Sequence, residues 1–203
     1  LKKNIIELLI YKSVELWEKR GTKNEILGFS KKGFEEVRDL FKAVTFRDVF
    51  GKEFEEVSPE DLNKTVYKDA NITLMTLYFD AKQSYPTHDH PEMVVLSKTI
   101  HGQLRIEHWD SIKTSPIYSL PWPFNKTELT LQALRKNTVT ITDRIVSLIT
   151  PDNNNLHRIS AEQKAVLLDL VFNNYDENRP CTLYKVQEKG KDIDVLVKLE
   201  NNH

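Results

Sequence analysis

The sequence predicts a mostly β chain, folded as an antiparallel sandwich or barrel, with α-helices leading into it. Three observations predict it. Before about Val66 the apolar residues recur at helical spacing. After it they alternate, with Ile72, Leu74, Thr76 and Tyr78 on one side and Thr73, Met75, Leu77 and Phe79 on the other, as side chains do on a strand. Short strand-like segments then follow one another with turn residues between most of them and no helical pattern intervening, which means antiparallel layers.

The first helix is expected where Ile5, Leu8, Leu9, Leu16 and Trp17 share a face, with Gly21 ending the run. A second starts at Ser30 as N-cap, and Phe34, Val37, Leu40, Phe41 and Val44 follow at helical spacing. Ser58-Pro59-Glu60-Asp61 is a third start signal: a capping serine, proline at the first helical position, then acids in the first turn. Few functional residue types occur in these helices, so they are expected to pack against the rest of the domain. Further strands are expected at Met93–Ile100, Gln103–Trp109, Glu128–Leu134, Thr138–Ile149, Lys164–Phe172 and Thr182–Val186. Gly102, Asn137 and the run from Pro151 through Asn155 serve as turns. Ser115–Asn125, with three prolines around Tyr118, Trp122 and Phe124, cannot be a central strand. It is expected to be a long loop whose aromatics cover the barrel wall or the mouth of a pocket. Glu188–His203 is charged and weakly patterned, a short strand or helix and then a loose tail. The organisation is therefore a helical region over 1–63, a barrel over 64–187 and a tail over 188–203.

Composition narrows the function classes. The chain has 203 residues, 39% hydrophobic and 29% charged, which suits one soluble globular domain with a small appendage. The 29 basic and 30 acidic residues nearly cancel and show no dense basic run, so no nucleic-acid or membrane partner is implied. One cysteine, Cys181, rules out an intramolecular disulfide and fits a reducing compartment, the cytoplasm and with it the nucleus. No apolar stretch has the length of a membrane span. Lys12, Glu15, Glu18 and Lys19 interrupt any signal-peptide core near the first residue, which is Leu rather than Met. A monomer is expected.

The residues that point to chemistry are Pro86-Thr87-His88-Asp89-His90-Pro91. Histidines at i and i+2 on an extended chain project to the same side, so two imidazoles can meet one metal ion. A third histidine, His157, follows a separate strand and the turn Pro151-Asp152-Asn153-Asn154-Asn155. Three neutral imidazoles suit iron(II), zinc, copper or nickel. Three protein ligands leave positions open for substrate or oxygen, as a catalytic site requires, and the distant single thiol argues against a structural zinc site. Asp169 lies in the apolar run Val166-Leu167-Leu168-Asp169-Leu170-Val171-Phe172, where a carboxylate is costly unless paired or hydrogen-bonded. It is either part of a structural pair or a pocket group that binds a substrate amine or a metal-bound water. Its even spacing from His157 would keep both on one face of an unbroken strand. Tyr175 either lines the pocket mouth, with its hydroxyl toward substrate or oxygen, or is a surface-packing tyrosine. His101, His108, Lys98 and His203 are expected outside the site, Lys98 as a solvated strand residue.

The H-x-H pair followed well downstream by one histidine resembles the two half-motifs of cupins. Gly102 fits the glycine of that pattern, and the position that holds a glutamate ligand in most cupins is Val95 here. A site of three histidines without a carboxylate marks the thiol dioxygenase branch. Within it the chain is similar to the plant cysteine oxidase and cysteamine (2-aminoethanethiol) dioxygenase family. The similarity rests on His88-Asp89-His90-Pro91-x-Met93 with Ser97-Lys98, then Gly102-x-Leu104, then Asn155-Leu156-His157. It continues through Ala165-Val166-Leu167 with Asp169, Tyr175, and Cys181-Thr182 with Tyr184.

The resemblance implies a cupin-type double-stranded β-helix, a jelly-roll barrel, and iron(II) held by His88, His90 and His157. It implies an oxidoreductase that places both atoms of O2 on a thiol. The substrate would be the N-terminal cysteine of a peptide or protein, in an oxygen-sensing N-degron role, or cysteamine. Asp169 and Tyr175 would be the catalytic pocket residues. A Cys–Tyr covalent link of the animal enzymes would fall on Cys181, but the residue two further on is Leu183, so Cys181 is expected as a buried free thiol. A non-catalytic metal-binding cupin is the rival reading.

Overall fold

A computed structural model describes residues 4–21, 26–112 and 130–199. The expected loop at 115–125 and His203 lie outside the described residues. Helix α1 (Ile5–Glu18) is capped by Asn4, whose side chain accepts the Ile6 N–H, and buries Ile6, Leu9, Ser13 and Leu16. Helix α2 (Lys31–Ala43) starts at Ser30 as expected, with the hydroxyl accepting the Gly33 N–H, and buries Phe34, Val37 and Phe41. A short α3 (Phe46–Phe50) was not visible as periodicity. It is defined by its ends: Thr45 and Asp48 form a capping box, and Gly51 closes it in the left-handed conformation. The third expected start yields one 3-10 turn, Pro59–Leu62. There the Ser58 hydroxyl turns to the Asp61 carboxylate instead of the backbone, and the chain soon enters the first strand.

Eleven strands follow among the described residues. They are β1 (Lys64–Lys68), β2 (Ile72–Phe79), β3 (Ser84–Asp89), β4 (Val94–His101), β5 (Leu104–Ser111), β6 (Thr130–Ile141), β7 (Ser147–Ile149), β8 (Leu156–Ser160), β9 (Ala165–Phe172), β10 (Leu183–Lys189) and β11 (Ile193–Lys198). One sheet has the order β1-β2-β9-β4-β7. The other runs β10-β11-β6-β5-β8-β3 and closes on itself because β3 also pairs with β10. The pairs are antiparallel. This is the expected mostly β, cupin-type barrel with leading helices.

The packing explains the sequence pattern. Every residue of β9 is buried, because one face meets the helices and the other the barrel interior. Val166, Leu168, Leu170 and Phe172 join Leu9, Phe34, Val37 and Phe41 in the helix-side core. Ala165 and Leu167 join Leu104, Ile106 and Ile159 inside. Each fully buried Leu or Phe contributes about 1.5–3 kcal/mol, so the helices and this face of β9 stabilise one another through a shared core. At Gly102 the backbone has φ +67°, and a Cβ would stand 2.4 Å from the Lys164 carbonyl oxygen, so glycine is required there.

Four expectations change. Asn137 is not a turn between two strands; it lies inside β6, at a bulge where the β5–β6 register shifts. After residue 188 the short strand, one of the two expected forms, is present as β11, but it pairs to both β10 and β6 and so extends the barrel past residue 187. Its Asp194 is fully buried against the Trp109 indole N–H at 2.8 Å and the Arg135 guanidinium. Lys98 is not solvated. It is 1% exposed on the helix side of β4, and its ammonium donates to the Lys42 and Val44 carbonyls at 2.6 and 2.8 Å, closing the C-terminal end of α2. His157 and Asp169 do not share a strand: β8 and β9 lie in different sheets. Among the described residues no helix is long and apolar enough to cross a membrane.

Candidate metal centre

His88 stands near the end of β3, and His90 follows one residue past it. The β3–β8 register shifts between Tyr85 and His88, so the strand bulges at Pro86–Thr87. Proline is tolerated there because it has no N–H to give the ladder. Beyond the bulge the alternation holds. Asp89 points away from its neighbours, and its carboxylate accepts the Thr182 N–H at 2.8 Å and the Tyr184 hydroxyl at 3.2 Å. The His90 N–H donates to the Asn155 carbonyl at 3.0 Å, fastening His90 to the turn that enters β8. His157 on β8 is paired directly with His88.

The three imidazoles converge. Nε2 of His157 lies 2.9 Å from Nε2 of His88 and 3.0 Å from Nε2 of His90. All three rings are buried, and burial pushes the His88 pKa down to about 4. Burial first and neighbouring histidines second hold His90 and His157 well below the ordinary range. The rings are therefore neutral at pH 7.

The opposite ring nitrogens show where the protons sit. His88 Nδ1 faces the Pro86 carbonyl at 2.9 Å, which can only accept, so the N–H is there. His90 Nδ1 faces the Tyr175 hydroxyl at 2.9 Å. That hydroxyl donates to the Asp89 carbonyl at 2.6 Å, so it accepts from His90. These tautomers, assigned from the network, leave the Nε2 atoms of His88 and His90 as lone pairs aimed at a third imidazole. A cation at the point of convergence satisfies all three, and the donor set fits one: neutral nitrogens on one side and, among the described residues, no further ligand in the cluster. Among the described residues this is the cluster whose ligand atoms lie within 4.8 Å of one another. Val95, where a carboxylate would have been the alternative, is buried with Met93, Ile149 and Val171.

Asp169 reaches the interior from the facing sheet. It pairs with Met75 on β2 and Ser97 on β4. Its neighbours Leu168 and Leu170 pack on the helix side, whereas Leu167 and Val171 pack within, so Asp169 faces inward with them. It is 8% exposed, Oδ1 has no hydrogen-bond partner, and burial pushes its pKa up to about 7, with the Ser97 hydroxyl beside it pulling the other way. Tyr175 backs His90 from the solvent side and is 37% exposed. The Cys181 thiol lies beside the Tyr175 hydroxyl, half-buried, and burial raises its pKa.

Sequence reasoning set His108 apart from the site, yet β5 pairs it directly with His157. It is 2% exposed, its ring centroid lies 6.2 Å from that of His157, and its Nε2 is 3.0 Å from the Ser147 hydroxyl. It is a wall residue, not a ligand. The roles of Asp89 and Ser147 carried no signal in the sequence. The alternation of Leu104, Ile106 and His108 did place His108 inside. His101 ends β4 stacked on Phe54 at 3.6 Å, away from the site.

The PCO_ADO family model matches residues 36–202. A probable 2-aminoethanethiol dioxygenase of Dictyostelium discoideum is 28% identical over 171 residues, 77% of this chain and 73% of that protein. Plant cysteine oxidase 2 of Arabidopsis thaliana is 30% identical over 101 residues, which are 49% of this chain and only 34% of that protein. Among solved structures, a cupin superfamily protein of Desulfitobacterium hafniense superposes with a TM-score of 0.37 at 8% identity, over 55% of this chain and 76% of that one.

Proposed function

The chain belongs to the PCO_ADO family of thiol dioxygenases, and from that premise we propose that it oxidises the N-terminal cysteine of a peptide or protein to a sulfinic acid, using iron(II) held by His88, His90 and His157. The observation that carries this reading is the convergence of three neutral imidazole Nε2 atoms in a buried cluster that, among the described residues, includes no carboxylate. A ferrous ion there would supply Lewis acidity toward a thiol and the electrons that activate dioxygen. Overall the thiol and O2 give a sulfinic acid: both oxygens end on sulfur, which loses four electrons as O2 gains four, and the thiol hydrogen is retained as the acid proton.

The protein's own groups have distinct tasks. Neutral ligands leave the ion's positive charge uncompensated, which favours an anionic thiolate over a neutral substrate. Asp169, with one oxygen unpartnered and facing inward, is suited to accept a hydrogen bond from the substrate ammonium. Tyr175 acts behind His90, accepting its Nδ1–H and so fixing the ring. A peptide is put before cysteamine because the aromatic rings beside the centre, among the described residues, remain partly open to solvent. Tyr85, 43% exposed, packs edge-on to His88 at 4.9 Å, and Tyr175 covers His90. A thiol carried on a polypeptide can enter past such a rim while the rest of the chain stays outside. Oxidation of an N-terminal cysteine in proportion to O2 would serve as an oxygen-dependent mark on that protein.

The test is mass spectrometry of a Cys-initiated peptide and of cysteamine, each incubated with iron-loaded protein in air and under nitrogen. The expected result is a gain of two oxygen atoms on the peptide in air only, lost in His157→Ala. A gain on cysteamine alone would reassign the substrate. No gain on either thiol, with iron verifiably bound, would make this a metal-binding cupin of another function.

A further inference from the structure

Asp89 stands between two of the three converging histidines, yet its carboxylate does not join them. On the extended chain it projects to the side opposite His88, and the cluster of ligand atoms among the described residues does not include it. Instead it commits each of its polar groups to a neighbour. Its N–H donates to the Thr182 carbonyl at 3.2 Å. Oδ1 accepts the Thr182 N–H at 2.8 Å, and Oδ2 accepts the Tyr184 hydroxyl at 3.2 Å. Its carbonyl accepts the Tyr175 hydroxyl at 2.6 Å.

The consequence lies in the peptide unit between Asp89 and His90. That unit is planar, so the Asp89 carbonyl and the His90 N–H turn together. The carbonyl edge meets Tyr175, and the N–H edge donates to the Asn155 carbonyl at 3.0 Å. Asn155 is itself tied down: its Oδ1 accepts the Ser111 N–H at 3.0 Å, and its side-chain amide donates to the Pro151 carbonyl at 2.9 Å. The rotation of this one plane sets the direction in which His90 leaves the backbone. It also sets where the Tyr175 hydroxyl stands to accept the His90 Nδ1–H. The carboxylate bonds to Thr182 and Tyr184 fasten the Asp89 end of the plane to β10. His88 does not depend on this arrangement, because its Nδ1 faces the Pro86 carbonyl on the other side of Asp89 in the chain. One acid therefore supports one ligand of the pair and not the other.

We propose that Asp89 is a positioning residue for the metal centre: its carboxylate, anchored on β10 by Thr182 and Tyr184, holds the Asp89–His90 peptide so that Tyr175 supports His90 and Nε2 of His90 meets the other imidazoles. This rests on the three-histidine reading and gives the acid between two ligands a task that needs no contact with the metal. Groups behind a ligand that fix its orientation commonly decide how tightly the metal is held.

The test is Co2+ uptake by the metal-free full chain, in competition with a chromophoric chelator, for wild type, Asp89→Ala, Asp89→Asn and Tyr184→Phe. Asp89→Ala is expected to lower affinity roughly tenfold, within the range found for losing a group that orients a ligand. Asp89→Asn, which keeps an acceptor for the Thr182 N–H, restores most of it, and Tyr184→Phe gives a smaller loss in the same direction. In the Zn2+-loaded protein labelled with 15N at histidine, the Nδ1–H resonances of His88 and His90 separate this role from a general loosening. Asp89→Ala is expected to broaden that of His90 by exchange and to leave that of His88 in place. Should Asp89→Ala fail to fold, Tyr184→Phe carries the test with the same two readouts. Wild-type affinity in the variants, or equal broadening at both histidines, overturns this inference alone. Failure of the wild type to take up Co2+ overturns the metal-centre reading and this inference with it.

Discussion

The Tyr175 hydroxyl lies 2.9 Å from Nδ1 of His90 and spends its own proton on the Asp89 carbonyl at 2.6 Å. A residue more than eighty positions away thereby decides which nitrogen of His90 is left as a lone pair toward His157. Tyr175→Phe removes the acceptor and leaves the ring packing. The expected outcome is a loss of metal affinity of about tenfold or somewhat more, with little change in apo-protein stability. Chelator competition and thermal unfolding, run side by side, check it; equal affinities would limit Tyr175 to packing.

Metal should stabilise the fold through the three histidines. At a free metal concentration of about 100 Kd the linkage amounts to about 2.7 kcal/mol. For a chain of this size that raises the unfolding midpoint by roughly 5–10 °C. His157→Ala, which removes the ligand at the centre of the contacts, should abolish the shift. Scanning fluorimetry with Co2+ and with Fe2+ under nitrogen measures it, and a shift that survives in His157→Ala would move the metal elsewhere.

Lys98 tests whether the helices are part of the domain. Its ammonium satisfies two carbonyls at the end of α2 from within β4. Lys98→Met keeps the stem and deletes both charged hydrogen bonds, leaving the carbonyls short of partners. The expected cost is about 2–3 kcal/mol. In urea this should appear as a lower midpoint at unchanged slope, with metal affinity unaffected, because Lys98 lies on the face of β4 opposite the interior.

The fold class was legible because alternation survives wherever one face of a strand is buried, as in Leu104–His108 of β5. It failed where a strand is short or bent. Ser84–Asp89 carries a proline at a bulge, so no alternation announces it although it bears His88. Asn137 reads as a turn because a bulge and a turn use the same residue type. The ligands were legible because i, i+2 spacing is local. The link between Asp169 and His157 was not, since their even separation in sequence says nothing once a turn separates β8 from β9. Lys98 misled for a general reason: a lysine among strand residues reads as solvent-facing, and only the placement of α2 shows what its ammonium meets.

Asp169 makes a prediction whose sign is fixed by its burial. Burial pushes its carboxyl up to about 7, from 3.8 for a freely solvated carboxylate. Between those values the folded metal-free protein holds a proton that the unfolded chain has released, so stability falls as pH rises through this window and levels off above about 7. The shift corresponds to a penalty of about 4 kcal/mol at most, since one unit is about 1.4 kcal/mol. Asp169→Asn cannot ionise and should lack this slope. Urea unfolding of metal-free wild type and Asp169→Asn at pH 5 and pH 8 measures it. The variant should gain on the wild type by up to about 2.5 kcal/mol on going from pH 5 to pH 8, the rest of the penalty having been incurred already by pH 5. The same substitution should weaken turnover of an amine-bearing thiol, because Asn offers no charge to an ammonium. A variant more stable at pH 8 and poorer in turnover would identify Asp169 as a group held in the interior at a cost to the fold for the sake of the substrate. Parallel pH profiles for the two proteins would instead mean that Asp169 finds a partner in solution and is structural.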